Sequence, residues 1–108
     1  MSDFAEKLLP QVKKTVREAS SEFDDEIGSY IDTCATDLQN VGILSSFFTP
    51  VGTDWKPDPQ ILQACRWYAL SNYGLYNADM EKYAKAYASL KATLATQRAY
   101  TEEKHGVQ

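Results

Sequence analysis

The sequence predicts an all-α protein: a small four- to five-helix bundle with a long loop between the second and third main helices. Two observations predict this fold. Apolar side chains recur every three or four residues over long stretches, which is the period of a helix packed on one side. Residues that start and stop helices separate these stretches. The 108-residue chain contains 44% hydrophobic and 24% charged residues, an ordinary globular composition. We therefore expect one domain over residues 1–108.

The first helical pattern covers residues 2–19, and Ser2 is suited to cap it. Its apolar positions recur at four-residue steps: Phe4, Leu8, Val12 and Val16. Pro10 interrupts the pattern, and a proline inside a helix removes a backbone hydrogen bond. We therefore expect residues 2–9 to be an N-terminal arm or short helix. The core bundle, residues 10–95, then begins with a second helix near Pro10.

The segment 20–42 is the clearest single helix in the first half of the chain. Ser21 and Asp24 resemble a capping box, and Gly42 is suited to end the helix. The apolar positions form a continuous stripe: Phe23, Ile27, Tyr30, Ile31, Cys34, Leu38 and Val41. Gly28 lies inside the helix but off this stripe. It marks either a close approach of another backbone or a tolerated glycine on the surface.

Three acidic residues at the start of this helix, Asp24, Asp25 and Glu26, suit the positive end of the helix dipole. Metal binding or acid–base chemistry is the alternative, but the neighbourhood offers no histidine and no second carboxylate pair for it. The only histidine, His105, lies in a polar tail. We predict no metal site, no cofactor and no catalytic residue, so the chain is not expected to be an enzyme.

The two cysteines, Cys34 and Cys65, each occupy an apolar position of a helical pattern. Buried, reduced thiols of a cytosolic protein are the favoured interpretation. A disulfide or a pair of metal ligands remains possible in principle.

The connection 42–57 is long for a compact domain, and loops of this length are usually functional or mobile. It is also unusually apolar, with Phe47, Phe48 and Trp55 among its residues. One interpretation is that these side chains cover the core around a Thr49–Gly52 turn. The other is that they dock on a neighbouring subunit, because exposed aromatic side chains usually have a partner. A brief β-hairpin across the turn is a third possibility.

The second half of the chain predicts a pair of helices joined by a short turn. Asp58 is a good N-cap, and a proline at position 59 fits the first helical turn. Gly74 is suited to end the third main helix and Asn77 to cap the fourth. The fourth helix has a seam at alternating steps of three and four: Met80, Tyr83, Tyr87, Leu90 and Leu94. We expect this seam to pack on the helix over residues 22–41.

Beyond the seam, the last helix is predicted to continue to about Tyr100. Residues 96–108 are predicted to be a flexible tail that frays or orders on a partner.

Charge and hydropathy exclude several classes of function. The net charge is −4 and the pI about 4.9, which argues against a surface that grips nucleic-acid phosphates. A DNA-reading helix beginning at Ala78 would carry acids at positions 79 and 81, where bases and phosphates are contacted. No apolar run approaches the roughly 18 residues of a membrane span, and the N-terminus lacks the apolar core of a signal peptide. A helical interaction module remains.

Three segments in order resemble the head–tail connector (adaptor) proteins of tailed bacteriophages, which are also described as phage DNA-packaging proteins. They are the F-D-D-E-I helix start at 23–27, the D-P-x-I start at 58–61 with the turn at Tyr73 and Gly74, and the tyrosine seam ending in Leu90. The resemblance covers residues 10–100. The loop and the tail do not match the family pattern.

The resemblance implies a virion protein that assembles into a ring, commonly of twelve subunits, beneath the portal at the head–tail junction. Such a ring extends the channel through which double-stranded DNA passes and presents a platform for a tail or stopper protein. The acidic balance suits a channel that does not trap DNA. The subunit is expected in the host cytoplasm during assembly, where it can be a monomer. The alternative is a monomeric helical interaction module or a small regulator in the bacterial cytoplasm.

Seven tyrosines, four phenylalanines and two tryptophans are more aromatic side chains than a bare bundle core needs. Tyrosine combines a large contact area with a polar tip, and aromatic residues are enriched at interfaces. Because the loop and the tail flank the rigid helices, we predict that contacts to other proteins lie there. The candidate interface residues are Phe47, Phe48, Trp55 and Tyr100.

Overall fold

A computed structural model of the chain describes residues 1–73 and 79–102. In these ranges it contains five α-helices and no strand, which confirms the all-α prediction. A short 3-10 helix, Ser45–Phe48, lies in the predicted long loop. The helices are α1 (Asp3–Val16), α2 (Asp24–Asn40), α3 (Pro59–Asn72), α4 (Met80–Ala95) and α5 (Arg98–Thr101).

The first three helices pack against one another in an up–down–up arrangement. Helix α1 runs parallel to α3, because Gln11 bonds to Arg66 and Glu18 bonds to Tyr73 at the same separation of 55 residues. Helix α2 is antiparallel to both, and it meets the start of α1 through the contact between Ser2 and Asp32. Helix α4 returns along α3. The described molecule measures 49 × 31 × 18 Å.

The core is formed mainly by the inward faces of α1, α2 and α3, and residues of the loop, α4 and α5 complete it. No polar or charged residue of the described ranges is buried in it. Its largest fully buried side chains are Leu8, Val12, Ile27, Ile31, Cys34, Leu38, Ile61, Cys65 and Leu94. On α1, α2 and α4 these positions follow the predicted helical spacing, so the sequence pattern identified the packed faces of those helices.

The first helix is continuous, and the break expected near Pro10 is wrong. Pro10 lies inside α1 on the exposed side. A proline inside a helix costs about 3 kcal/mol, whereas burying a large apolar side chain returns about 1.5–3 kcal/mol. Phe4 and Leu8, both N-terminal to the proline, are buried at 2% and 0% exposure. Residues 3–9 are therefore the first half of a core helix.

Helix α2 begins later than the capping-box pattern predicts. The N-cap is Phe23, which makes no side-chain capping bond, so the predicted cap at Ser21 is wrong. In the preceding turn the Glu18 carboxylate accepts from the N–H of Ser20, and the Ser20 hydroxyl accepts from the N–H of Glu22. The N–H groups of Ser20 and Glu22 are therefore satisfied within the turn, and the helix begins after them.

The end of α2 is the one predicted. Gly42 has a positive φ of 103° and follows the C-cap. Its N–H bonds to the carbonyl of Gln39 at 3.0 Å, and the N–H of Ile43 bonds to the carbonyl of Leu38 at 3.1 Å. This pair of bonds is a Schellman motif, and the buried side chains of Leu38 and Ile43 complete it.

Gly28 is buried on α2 and is not a surface glycine. A Cβ placed there would lie 2.7 Å from the terminal carbon of the Met1 side chain. The close approach at this position is therefore made by a side chain and not by another backbone.

The predicted start of α3 is confirmed. The Asp58 carboxylate accepts from the N–H groups of Gln60 at 3.0 Å and Ile61 at 3.3 Å. The turn predicted from Gly74 and Asn77 lies outside the described residues.

The seam of α4 packs mainly on α3, and not on α2 as the sequence suggested. The rings of Tyr68 and Tyr87 meet edge to face at 5.1 Å between centroids. Helix α2 reaches α4 through Asp37, which accepts hydrogen bonds from Tyr87 and Lys91.

The tail differs from the expectation of a fully flexible segment. Helix α4 ends at Ala95, and the short helix α5 follows with Tyr100 buried at 7% exposure. The rest of the tail, residues 103–108 with His105, lies outside the described residues.

Candidate interaction surface

The loop 42–57 is held against the bundle from both ends of the chain. Phe4 of α1 packs edge to face on Phe48, with ring centroids 5.1 Å apart, and on Trp55 at 6.1 Å. From the other side, the ring of Tyr100 lies 5.0 Å from the ring of Phe47. A backbone hydrogen bond of 2.9 Å joins the N–H of Leu44 to the carbonyl of Tyr100. The loop is thus an ordered aromatic cover.

The structure brings all four predicted interface residues into this cover. Phe48 and Tyr100 are buried, at 9% and 7% exposure. Phe47 and Trp55 are half-buried and pack against the core cluster. In the isolated subunit, Phe47 and Trp55 therefore retain surface for a partner, whereas the other two support them from beneath. At the loop's tip, Val51 is 70% exposed. Val51 was not among the predicted interface residues, although its place beside the Gly52 turn is a signal of exposure.

Tyr100 is fixed through its hydroxyl as well as its ring. The hydroxyl donates to Oδ2 of Asp58 at 2.9 Å. The same carboxylate oxygen caps α3 through Gln60 and Ile61. Burial, together with the bond to this carboxylate, raises the pKa of Tyr100 to about 12. The tail and the start of α3 are therefore joined at one carboxylate.

A second polar junction joins α2 and α4. Lys91 forms an ion pair of 2.9 Å with Asp37, and the Tyr87 hydroxyl donates to the same oxygen at 2.5 Å. Burial alone would raise the pKa of Asp37, but these two hydrogen bonds outweigh it and the pKa is lowered. Burial and the neighbouring Cys34 and Asp37 raise the pKa of Tyr87. This junction stabilises the packing of α4 and offers no open reactive group.

The two thiols, Cys34 and Cys65, are both free and buried, at 0% and 1% exposure. A thiol–thiol hydrogen bond and burial raise the pKa of Cys65 well above its usual value. A buried, protonated thiol is a poor nucleophile. Within residues 1–73 and 79–102, no three histidine, cysteine or acidic side chains cluster closely enough to hold a metal ion.

The exposed charges of the three-helix unit include a basic group at α1 and α3 and an acidic group at the start of α2. Lys7 and Lys14 are exposed on α1, and Arg66 of α3 reaches between them. Helix α2 carries acidic residues and no basic residue. The group of Lys7, Lys14 and Arg66 was not predicted from the sequence, because Arg66 meets α1 only in the folded chain. The seven-residue spacing of the two lysines was the available signal.

None of the described helices is long and apolar enough to cross a membrane.

The order of helices, the capped start of α3 and the loop between α2 and α3 are those expected from the three sequence motifs. Residues 8–101 match the family model described as "Phage connector protein". The chain belongs to the phage connector protein family. It is accordingly a structural connector protein of a bacteriophage, it resides in the virion, and it interacts with other head or tail proteins. This family is structural and not known for enzymatic activity.

Comparison of this connector protein with curated proteins and with solved structures gave no significant match.

Proposed function

We propose that this connector forms a homo-oligomeric ring, with twelve subunits as the expected number, at the head–tail junction of a tailed phage. The ring docks on the portal, extends the DNA channel, and carries a tail or stopper protein on its other end. The subunit assembles from the host cytoplasm. The observation that carries this proposal is the family match over residues 8–101.

The shape and charge of the subunit support a ring. A body of 49 × 31 × 18 Å has broad lateral sides, and a ring needs two different lateral surfaces that fit one another. The net charge of −4 suits a channel through which DNA slides without binding tightly. Double-stranded DNA is accordingly proposed as a passing partner and not as a bound ligand.

We propose the aromatic loop as the contact with the portal or with a neighbouring subunit. Phe47 and Trp55 provide the half-exposed rings, and Phe48 and Tyr100 hold the loop from below. Aromatic side chains with one buried and one open side are typical of interface hot spots. The segment 96–108 is proposed to add contacts on docking.

The other candidate is a monomeric helical interaction module or a small cytoplasmic regulator. This candidate is favoured by the continuous core of α1, α2 and α3, because the subunit buries these apolar faces without a second copy of the chain.

Light scattering of the purified chain, alone and with purified portal protein, tests the proposal. We expect a ring-sized species when the portal is present, even if the chain alone is monomeric. A chain that stays monomeric and does not bind the portal contradicts the ring.

Two variants test the loop. Phe47→Ser should reduce ring assembly or portal binding while helicity, measured by circular dichroism, is kept. Phe48→Ser is the matched control, because that ring is buried and its loss should lower stability. Unchanged assembly by a folded Phe47→Ser chain removes the loop from the interface.

A further inference from the structure

The groove between α1 and α3 carries a group of positive charges. Lys7, Gln11 and Lys14 share one exposed face of α1, since they are spaced by four and three residues. Arg66 of α3 crosses to this face, and its terminal nitrogen donates to Oε1 of Gln11 at 3.3 Å. Three cations therefore line the groove around one neutral side chain.

These cations have no carboxylate partner in the described part of the chain. The ion pairs formed there use other residues. The Nε atom of Arg66 is enclosed and lacks an acceptor in residues 1–73 and 79–102. Asp3 lies one turn before Lys7, and Glu18 lies one turn after Lys14. Glu18, however, already accepts from Tyr73. The groove is thus left with an excess of positive charge.

The opposite side of the three-helix unit carries exposed acids. Because α1, α2 and α3 each contact the other two, the outer face of α2 points away from the α1–α3 groove. Around the start of α2, Glu22, Asp25 and Glu26 are exposed. Their neighbour Asp24 is paired with Lys13 at 2.8 Å and so belongs to the subunit's own packing.

We propose that a second copy of this chain docks the acidic start of its α2 into the basic α1–α3 groove. The proposal rests on the ring proposed above and names its lateral contact. A basic surface on one side and an acidic surface on the other make a head-to-tail contact, which closes into a ring when the rotation between copies allows it. Lys7 and Lys14 are exposed in the groove, and the positive charge of Arg66 beside Gln11 adds to their attraction for carboxylates.

Charge at this contact selects the partner and its orientation more than it adds affinity. Exposed ion pairs are individually weak, so several must act together. They are also screened by salt over about 10 Å at 0.1 M ionic strength. Self-association through this contact should therefore weaken steeply as salt is raised.

Four full-length variants test the contact by sedimentation equilibrium at low salt. Lys7→Glu/Lys14→Glu reverses the groove, and Glu22→Lys/Asp25→Lys reverses the acidic face. Each should raise the dissociation constant for self-association about tenfold or more. Combining all four substitutions should restore association, because the reversed groove and the reversed face of α2 again carry opposite charge. The net charge of this variant stays at −4. An equimolar mixture of the two double variants should also associate.

The fourth variant, Lys82→Glu/Lys85→Glu, is the matched control. Both lysines are exposed on α4, so it makes the same change in net charge away from the groove. Its dissociation constant should equal that of the wild type. An equal weakening by this variant would mean that net charge alone is responsible, and the contact would be overturned.

The position of the contact is tested by zero-length carbodiimide cross-linking of mixed ¹⁴N and ¹⁵N wild-type chains. Mixed-label peptides should join Lys7 or Lys14 to Glu22, Asp25 or Glu26. Their absence, a wild type that does not self-associate even at low salt, or a four-fold variant that is not restored would each overturn the contact.

The two proposals fail separately. A ring that assembles with purified portal but lacks the mixed-label links keeps the ring and removes this contact. Links in the free chain without any ring on the portal do the reverse.

Discussion

The Tyr100 hydroxyl donates to the same Asp58 carboxylate oxygen that caps α3. One oxygen therefore serves the first turn of a core helix and the only buried side chain of α5. The tail and the core bundle are coupled through this pair.

Replacing Tyr100 with phenylalanine should lower the free energy of unfolding by about 1 kcal/mol, because the ring stays on Phe47 and only the hydrogen bond is lost. Asp58→Ala should cost about 2–3 kcal/mol, since it removes the cap as well. Urea unfolding measures both. The double variant should cost less than the sum of the two single variants, as the residues interact directly. Strict additivity would show that the hydroxyl does not act through Asp58.

The two adjacent loop phenylalanines should differ in their effect on stability. Phe48→Ala should lower the free energy of unfolding by about 3 kcal/mol, because it removes a buried ring that packs on Phe4. Phe47→Ala should cost about 1 kcal/mol, since its ring is only half-buried. Thermal unfolding of the two variants provides the comparison. Equal losses would mean that both rings belong to the core.

Arg17 ends α1 in the left-handed conformation, with φ 60° and ψ 40°. A side chain makes this conformation costly, whereas glycine adopts it freely. Arg17→Gly should therefore raise the free energy of unfolding by about 0.5–1 kcal/mol. Arg17→Ala keeps a Cβ and serves as the control, with little change expected. A gain with alanine equal to that with glycine would assign the effect to charge and not to backbone geometry.

The Asp37 junction should make stability depend on acid pH. Its pKa is lowered from 3.8 in the folded chain, so its contribution is present above that value and is lost as the pH falls through the folded pKa. Asp37→Asn should cost about 1–2 kcal/mol at neutral pH. The difference in free energy of unfolding between the wild type and the variant should become smaller below pH 3.8. Urea unfolding of both chains at several pH values measures this difference. If the difference does not change with pH, the Asp37 carboxylate is not its cause.

Local signals in the sequence predicted the parts of the fold that depend on neighbouring residues. The Asp58 cap and the Gly42 stop each follow from a few adjacent positions, and both are confirmed. The helix that carries the seam of α4 is also present, but the seam packs mainly on α3 and not on the predicted α2. The Ser21 cap failed for a local reason too: Glu18 and Ser20 compete for the donors that a helix would use.

The errors at Pro10 and in the tail have a different cause. A proline looks like a break when only its own hydrogen bond is counted, but Phe4 and Leu8 are buried by residues far along the chain. Likewise, a polar tail looks flexible until Tyr100 meets Phe47 and Asp58. The four candidate residues were found by their aromatic type, whereas their grouping into one cover depends on contacts that no local pattern records.

The two aromatic contacts of the loop, Phe4 with Phe48 and Phe47 with Tyr100, can form only at different times during translation. Translation delivers the N-terminal part of a chain first, so Phe4 is available as soon as Phe48 leaves the ribosome. Phe47 has to wait until Tyr100 has emerged, about half a chain later. The loop is therefore closed only after α3, α4 and α5 have been made. A nascent chain that has not yet reached Tyr100 lacks the contact with Phe47, so the aromatic cover is complete only after α5 has been made.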